Sequence, residues 1–428
     1  MSAMKHELAL FHPGATEKAI KEVKWINHRP STQINNNGPL EFNITGNSSE
    51  YVLLSKTRLH VKVKIKRADG TDVDSTDDVA LTNLSLHSLF RQVDVSLNQT
   101  IITSTIGVNY PYKAMIDCLL GYDFSVKDSQ LQSEGYFKDS AYLMDDPVFN
   151  PGHVQRKSLT KHGIADFESA LHIDVAQQPK LILNGVQITI KLFQSSDAFR
   201  LLSLNGAAYS VEIVDAILKV CNVKVRPSVL VAQDEILLKT PAVYPMWKSN
   251  IKTYTIAEGF DTFSIDDMYH GQVPARLYVG LTSNAAYHGD FSKNPFNFWH
   301  YFLTRLDFTV EGISRPTVAF TPTYRTNAEE PGEVVPNGYV HEFLSLFKSR
   351  YPQAEGNFIQ RADYPGGYAL YCFDLKSGTG DNLFSTPETG HTRLTAGFGV
   401  PLPHPVTLIA YAIFPSSFKI DHARNVIV

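Results

Sequence analysis

The chain has 428 residues, of which 43% are hydrophobic, 11% aromatic and 19% charged, and its formal net charge is −4. This length suits two domains of about 200 residues each better than a single core. The slightly acidic balance, without a basic tail, argues against packaging of nucleic acid by charge neutralisation, so we expect no sequence-specific nucleic-acid partner. No stretch approaches 18 uninterrupted apolar residues, so we expect a soluble protein without a transmembrane segment.

Residues 1–38 differ from the rest of the chain. Their first apolar run is too short for a signal peptide and breaks at Pro13-Gly14. Residues 17–27 predict a short helix, and a polar run ends this region at residues 35–38. One face of the helix would carry Ala19, Ile20, Val23 and Ile26. This face is too small to be stable alone, so we interpret residues 1–38 either as a solvated arm or as an arm that folds on a neighbouring subunit.

From residue 40 the pattern is mostly that of β-strands. Residues 59–66 alternate apolar and basic side chains, which predicts a half-buried strand whose lysines face solvent. A short helix is predicted within residues 113–120 and a long polar loop over residues 121–168. Further strands are predicted at residues 171–175, 186–193 and 211–225, before a linker at residues 227–240.

The second half repeats this order of elements. Strands are predicted at residues 251–256, 276–282, 306–310, 368–375, 393–397 and 406–414. A short aromatic segment at residues 295–302 and a helix at residues 339–347 lie between them. We also match the strand at residues 186–193 with that at residues 406–414, because both close on Phe.

One strand and its turn occur twice, 213 residues apart. Residues 93–97 (VDVSL) align with residues 306–310 (LDFTV), and turns follow at Asn98-Gln99 and Glu311-Gly312. Each half contains about eight short strands, which in two packed antiparallel sheets form a jelly roll. The sequence therefore predicts an all-β, tandem double jelly roll with short helical insertions and long loops. Its divisions are an arm (1–38), a first jelly roll (39–226), a linker (227–240) and a second jelly roll (241–428).

No catalytic motif stands out, so we expect no enzyme. Gly378-Thr379-Gly380-Asp381 lacks the strand–helix context of a phosphate loop, and the paired carboxylates Asp145-Asp146 and Asp266-Asp267 lie in loop-like sequence. A metal-dependent two-domain cupin would need clustered histidines, but the nearest candidates, His270 and His288, stand apart. We predict no catalytic, cofactor-binding or metal site. The widely spaced Cys118, Cys221 and Cys372 are interpreted as reduced core residues of an intracellular product.

Several stretches resemble one known family, the double jelly-roll (hexon-like) major capsid proteins of Polinton/Maverick elements and adintovirus-like DNA viruses. They are residues 87–98 (HSLFRQVDVSLN), 110–116 (YPYKAMI), 294–298 (NPFNF), 364–375 (YPGGYALYCFDL) and 418–426 (FKIDHARNV). The resemblance runs from about residue 40 to residue 428.

This resemblance implies a structural capsid subunit that forms a homotrimeric, pseudo-hexameric capsomer of an icosahedral shell. Its partners would be neighbouring capsomers and penton or minor capsid proteins. Its location would be the virion, after assembly in the cytoplasm or nucleus of a host cell. The resemblance further implies that the loops at residues 121–168 and 315–338, with the helix at residues 339–347, project outward or clasp neighbours.

Three alternatives remain open from the residues alone. A non-catalytic double β-sandwich binding module would be a monomer or small oligomer with a concave aromatic site. A bicupin-type enzyme would contain bound metal. A minor or penton capsid subunit is a weaker alternative, because a fivefold position usually needs only one jelly roll.

Overall fold

The computed structural model describes most of the chain. The described residues are 18–35, 38–74, 76–103, 109–161, 163–315, 318–326, 334–335, 338–348, 356–375 and 387–428. Within these ranges, no helix is both long enough and apolar enough to cross a membrane. The first 17 residues of the predicted arm and the glycine-containing segment 378–381 lie outside them.

The first half is built from ten strands and several short helices within the described ranges. Its strands are β1 (Ile20–His28), β2 (Leu40–Ile44), β3 (Glu50–Arg67), β4 (Val79–Leu81), β5 (Phe90–Leu97), β6 (Thr100–Ile101), β7 (Ile164–Ala170), β8 (Ile188–Gln194), β9 (Leu201–Ser203) and β10 (Tyr209–Val225). Its helices are α1 (Ser85–Ser88), α2 (Tyr110–Gly121), α3 (Phe124–Lys127), α4 (Pro151–Thr160), α5 (Asp174–Gln177), α6 (Asp197–Arg200) and α7 (Pro227–Leu237), with 3₁₀ turns at Gln130–Glu134 and Leu204–Gly206.

The described part of the second half repeats the long strands and adds short ones. Its strands are β11 (Ala242–Ile256), β12 (Thr262–Asp266), β13 (Arg276–Ser283), β14 (Phe298–Trp299), β15 (Leu303–Val310), β16 (Ile313–Ser314), β17 (Arg325–Thr326), β18 (Val334–Val335), β19 (Gly366–Gly367), β20 (Leu370–Asp374), β21 (Thr392–Phe398), β22 (Val406–Ile420) and β23 (Val426–Ile427). Its helices are α8 (Asn284–His288) and α9 (Val340–Lys348).

The two halves have the same sheet order. In the first half, one four-stranded sheet runs β1-β10-β3-β7 and the other β2-β8-β5-β6. In the second half, the corresponding orders are β11-β22-β13-β20 and β12-β21-β15-β16, and β23 adds to β22. The strands within each sheet pair antiparallel. Eight antiparallel strands in two such sheets form a jelly roll, so the chain is a double jelly roll, as predicted.

The repeated hairpin identified in the sequence occupies the same place in both halves. β5 and β15 each lie third in their sheet and turn into a two-residue strand, β6 or β16. Both central residues of each turn have positive φ, 44° and 71° at Asn98-Gln99 and 50° and 77° at Glu311-Gly312. Two-residue hairpin turns of this kind match the twist of the flanking strands. The 213-residue offset is therefore a real structural repeat.

Residues 20–28 form a strand, so the predicted helix over residues 17–27 is wrong. β1 pairs along the outer side of β10 from Ile20↔Val225 to His28↔Leu218. Its side chains are alternately half-buried and exposed from Lys24 onward. The β-branched residues of this segment suit either structure, and an unpaired edge of the long β10 decides for the strand. The second part of the predicted arm thus extends the first jelly roll.

Three further expectations are wrong. Residues 171–175 leave the sheet after β7 and enter α5, because the Asp174 carboxylate accepts hydrogen bonds from Ser249 of β11. The predicted loop 121–168 contains α3, a 3₁₀ turn and α4. Residues 227–240, which include α7, stay a predicted linker. The match of residues 186–193 with residues 406–414 fails as well, since β8 and β22 belong to non-equivalent sheets. The counterpart of β8 is β21, because Ile188 of β8 pairs with Leu97 of β5 as Thr392 of β21 pairs with Val310 of β15.

The cores of the two jelly rolls are not separate. The core around the second roll includes Tyr112, Met115, Leu119 and Met144 from the long insertion of the first half. The core around the first roll includes Tyr244, Met246 and Phe418 from the second half. Each roll thus completes the apolar interior of the other, which holds the two rolls in a fixed relation.

Candidate functional site: the seam between the two jelly rolls

The contact zone between the two rolls, here called the seam, is lined by the insertion that connects β6 to β7. α2 lies in this insertion, and almost all of its side chains are buried. Tyr411 of β22 donates its hydroxyl hydrogen to Asp117 of α2 (3.0 Å). Ser249 of β11 donates its backbone N–H (2.7 Å) and its hydroxyl (2.8 Å) to Asp174. These bonds connect the two longest strands of the second roll to helices of the first.

A buried carboxylate, Asp139, is the centre of a second connection across the seam. Asp139 is 2% exposed and forms an ion pair with Arg156 of α4, which is 1% exposed, at 2.8 Å. The same carboxylate accepts hydrogen bonds from the side-chain amides of Asn83 (3.2 Å), Asn150 (2.9 Å) and, from the second roll, Asn294 (3.2 Å). We call these five residues the Asp139 hub. A charge in such a dry position is tolerated because every oxygen has partners.

α4 begins where its local sequence directs it. Asn150 caps the helix by accepting the N–H of Gly152 (3.1 Å), and Pro151 occupies the first turn, where its missing N–H costs nothing. The helix then directs Arg156 inward, where the guanidinium also donates to the carbonyls of Leu81 (2.9 Å) and Phe137 (3.1 Å). Buried hydrogen bonds of Arg156 therefore anchor the long insertion in the protein interior.

A third buried group lies nearby, composed of His87, Cys118, Glu134 and His172. We call it the His–Cys–Glu–His cluster. Glu134 is 3.1 Å from Nε2 of His87 through one oxygen and 3.6 Å from Sγ of Cys118 through the other. Sγ of Cys118 is also 3.6 Å from Nε2 of His172. The ligand atoms of His87, Glu134 and His172 lie within 4.8 Å of one another.

The surroundings of this cluster set its charge state. Burial lowers the pKa of His87 below its usual value, despite the neighbouring Glu134. Burial alone would raise the pKa of Glu134, but the hydrogen bond from His87 and the two nearby imidazoles outweigh it and keep this pKa below its usual value. Burial also raises the pKa of the Cys118 thiol well above its usual range. The cluster thus combines a carboxylate with a neutral imidazole at His87 and a neutral thiol.

The candidate residues from the sequence do not come together. His270 is exposed and contacts Asp267, and Asp266 pairs with Arg393 at 3.0 Å. His288 ends α8, where its ring meets Tyr287 edge to face. Neither histidine belongs to a metal-ligating group in the described part of the chain.

The two carboxylates of the other pair also act separately. Asp145 accepts the N–H of Asn294 (2.7 Å), and burial raises its pKa. Asp146 accepts the N–H groups of Val148 and Phe149 in a turn. Both are thus structural hydrogen-bond acceptors. Cys118, Cys221 and Cys372 are buried and form no disulfide, as predicted.

Sequence reasoning missed both the Asp139 hub and the His–Cys–Glu–His cluster. The members of the cluster are 31, 16 and 38 residues apart in sequence, so no short spacing motif marks them. His87 does lie within the first stretch that resembles capsid proteins, and Cys118 lies just after the second. Only the fold of the insertion brings them together.

The double jelly-roll class defined by this fold is that of several solved viral structures. The chain is similar to a chain of the Sputnik virophage (TM-score 0.61, 12% identity, 100% of this chain and 92% of the other). It is also similar to a chain of the PBCV-1 virus capsid (TM-score 0.54, 10% identity, 96% and 97%). A third is the mavirus major capsid protein (TM-score 0.50, 11% identity, 100% and 95%). At these identities the likeness establishes the fold.

No family model matches the chain. Among curated proteins, the chain is similar to an uncharacterised protein of Caenorhabditis elegans, with 22% identity over 433 aligned positions. That alignment covers 97% of this chain and 99% of the relative. The likeness therefore extends through both jelly rolls and the seam.

Proposed function

We propose that this chain is a structural major capsid protein, three copies of which form a pseudo-hexameric capsomer of an icosahedral shell. The observation that carries the proposal is the repeat of one jelly roll within one rigid chain. Three chains with two equivalent rolls each present six similar walls. A ring of heterologous contacts that closes in this way can tile a surface without growing into fibres.

Exposed apolar side chains support an assembled state. Val23 and Trp25 on β1 are about half exposed, and Phe149, beside the N-terminus of α4, is 72% exposed. Ile313 and Val318, near the end of the repeated hairpin, are also largely exposed. Single exposed apolar residues are ordinary, but aromatic side chains of this size favour protein interfaces. A permanent trimer interface would bury upward of about 2,000 Å².

The kind of virus or mobile element from which the protein comes is proposed from the sequence resemblance. We propose a DNA virus or a virus-like transposon shell of the Polinton/Maverick and adintovirus kind, with the virion as the location and penton or minor capsid proteins as partners. We further propose that residues 20–28 count with the first roll, so that residues 1–38 are only in part a separable arm. The insertion 121–168 then serves the seam on its inner side and neighbouring subunits on its outer side.

The mass of the purified chain in solution tests the proposal. Light scattering should give about three times 47.8 kDa, and negative-stain images of the same sample should show hexagonal particles or shells. A monodisperse 47.8 kDa monomer that never assembles would contradict a capsomer and favour a double-sandwich binding module. The variant Phe149→Ser should weaken the trimer, whereas Glu258→Ser, at an exposed polar residue of the second roll, serves as the control.

A further inference from the structure

The His–Cys–Glu–His cluster has the composition and placement of a metal site. Its four side chains come from four separate segments: α1, α2, the 3₁₀ turn Gln130–Glu134 and the segment after β7. His87, Cys118 and Glu134 are at most 1% exposed, and His172 is 7% exposed. Imidazole nitrogen, thiolate sulfur and carboxylate oxygen are the ligands that Zn²⁺ takes in proteins.

We propose that His87, Cys118, Glu134 and His172 bind one Zn²⁺ ion as a closed, structural, four-coordinate site. In a tetrahedral site with usual zinc bond lengths, neighbouring ligand atoms lie roughly 3.3–3.6 Å apart. The three measured separations, 3.1 Å for His87 to Glu134 and 3.6 Å for Cys118 to Glu134 and to His172, fall at or close to this range. His87, Glu134 and His172 lie within 4.8 Å of one another, so the side chains must move inward to complete the tetrahedron around an ion.

The outer nitrogens of both histidines already have partners. Nδ1 of His87 is 2.8 Å from the hydroxyl of Tyr110, and Nδ1 of His172 is 3.5 Å from a carboxylate oxygen of Asp117. This leaves Nε2 of each ring directed at the other cluster members. Zinc-binding histidines almost always have an outer hydrogen-bonding partner, which fixes the ring and its tautomer. Tyr110 fills this role for His87, and Asp117 faces His172.

The charges of the site balance with a divalent cation. A Cys118 thiolate and a Glu134 carboxylate carry two negative charges, and two neutral imidazoles add none. One Zn²⁺ ion makes the group neutral, with the thiol proton released to solvent on binding. A buried carboxylate is costly without a cation nearby, so an ion would also stabilise Glu134.

The site would tie the two rolls together through Asp117. This carboxylate lies one residue before Cys118, faces Nδ1 of His172 and accepts the hydroxyl of Tyr411 from the second roll. An ion at the cluster would thus fix α1, α2 and the segment after β7 to one another, next to the seam. All four positions are filled by protein, which suits a structural role and leaves no place for a substrate.

Metal content of the full chain tests the proposal directly. The protein, purified with a phosphine reductant and incubated with Zn²⁺, should retain about one zinc per chain after desalting. With Co²⁺ instead, it should show the near-ultraviolet charge-transfer band of a cobalt–thiolate bond and the visible bands of tetrahedral cobalt. Folded wild-type protein that retains no zinc and gives no such spectrum would overturn the proposal.

Matched cysteine variants identify the ligand. Cys118→Ser should lose the cobalt–thiolate band and at least tenfold in zinc affinity, whereas Cys221→Ser, at another buried free cysteine, should keep both. Glu134→Gln preserves the shape of the side chain and should likewise weaken zinc binding. If Cys118→Ser does not fold, an unchanged Cys221→Ser spectrum together with the wild-type stoichiometry still supports the assignment, and a band lost in Cys221→Ser contradicts it. The outcome does not depend on whether the chain forms capsomers.

Discussion

The two jelly rolls carry a large insertion at the same point, between the repeated hairpin and the next long strand, yet these insertions are held together by different chemistry. In the first roll the insertion is fixed by buried charges, above all the pair of Asp139 and Arg156. In the second roll the corresponding segment is fixed by tyrosines. Tyr324 stacks on Tyr339 (5.7 Å between ring centroids), and Tyr339 stacks on Tyr364 (5.6 Å).

The difference shows what a duplicated fold retains and what it is free to change. The order of the strands is retained because each strand must pair with the same neighbours, and each sheet must pack against the other sheet of its roll. The insertions have no such constraint. They need only an interior in which apolar groups are packed and polar groups are hydrogen-bonded. A polar hub gives directional contacts but fails when one member is lost, whereas stacked rings keep most of their packing when a hydroxyl is removed.

The largest expected effect concerns what the rolls share. Leu306→Asp places a charge at a core position of the repeated hairpin, where Leu306 is 1% exposed. Losing the leucine costs about 2–5 kcal/mol and an unpaired buried charge about 3–5 kcal/mol more. Since this approaches the whole stability of a domain, we expect no soluble folded protein. Thr309→Asp, on the opposite face of the strand, is the control, and equal loss of soluble protein in both variants would contradict the register.

Asp139→Ala should break the polar hub of the first roll. Arg156 would remain buried without its carboxylate, which costs about 3–5 kcal/mol. Chemical denaturation should show this loss as a lower midpoint. Asp139→Asn keeps the size of the side chain but removes its charge. If the charge dominates, Asp139→Asn and Asp139→Ala should lose similar amounts of stability. A loss of stability below about 1 kcal/mol in both variants would mean that the pair of Asp139 and Arg156 contributes no more than a solvent-exposed ion pair.

Acidification should weaken both rolls to a similar degree. Burial lowers the pKa of His153 in the first roll and of His300 in the second from 6.5 to about 3. Between these values the unfolded chain binds more protons than the folded chain, so stability is full above pH 6.5 and declines as the pH falls toward 3. At pH 5 each histidine should cost up to about 2 kcal/mol.

Denaturant midpoints at pH 7 and pH 5 check this expectation. His153→Gln and His300→Gln should each flatten the dependence on pH, because glutamine does not titrate. An unaltered pH dependence in one variant alone would mean that the histidine of that roll is protonated in the folded protein.

The smallest effect is expected when both members of one tyrosine pair in the second roll are changed together. The hydroxyls of Tyr324 and Tyr371 are hydrogen-bonded to each other at 2.9 Å in a buried position. Tyr324→Phe leaves one buried hydroxyl without this partner and should cost about 1–3 kcal/mol. The double variant Tyr324→Phe/Tyr371→Phe removes both hydroxyls and should lie within about 1 kcal/mol of wild type. A double variant as destabilised as Asp139→Ala would remove the distinction between the two insertions.

The sequence by itself determined the repeat, the class of fold and most of the long strands. Alternation in β5 and β15, with turn residues that tolerate positive φ, is local information, and so it could be read without any knowledge of distant parts of the chain. The buried side of each strand followed from the same alternation. The helices α2 and α9 were also predictable, because their apolar residues recur at helical spacing.

Only the tertiary structure decided the rest. Residues 20–28 form a strand because they pair with the edge of β10, about 200 residues away in sequence. The segment after β7 does not continue the sheet, because the Asp174 carboxylate accepts a hydrogen bond from β11. The Asp139 hub and the His–Cys–Glu–His cluster join residues from separate segments, so no local pattern marks them. A polar group can be buried only where distant side chains form hydrogen bonds with it, and only the packed fold brings those side chains together.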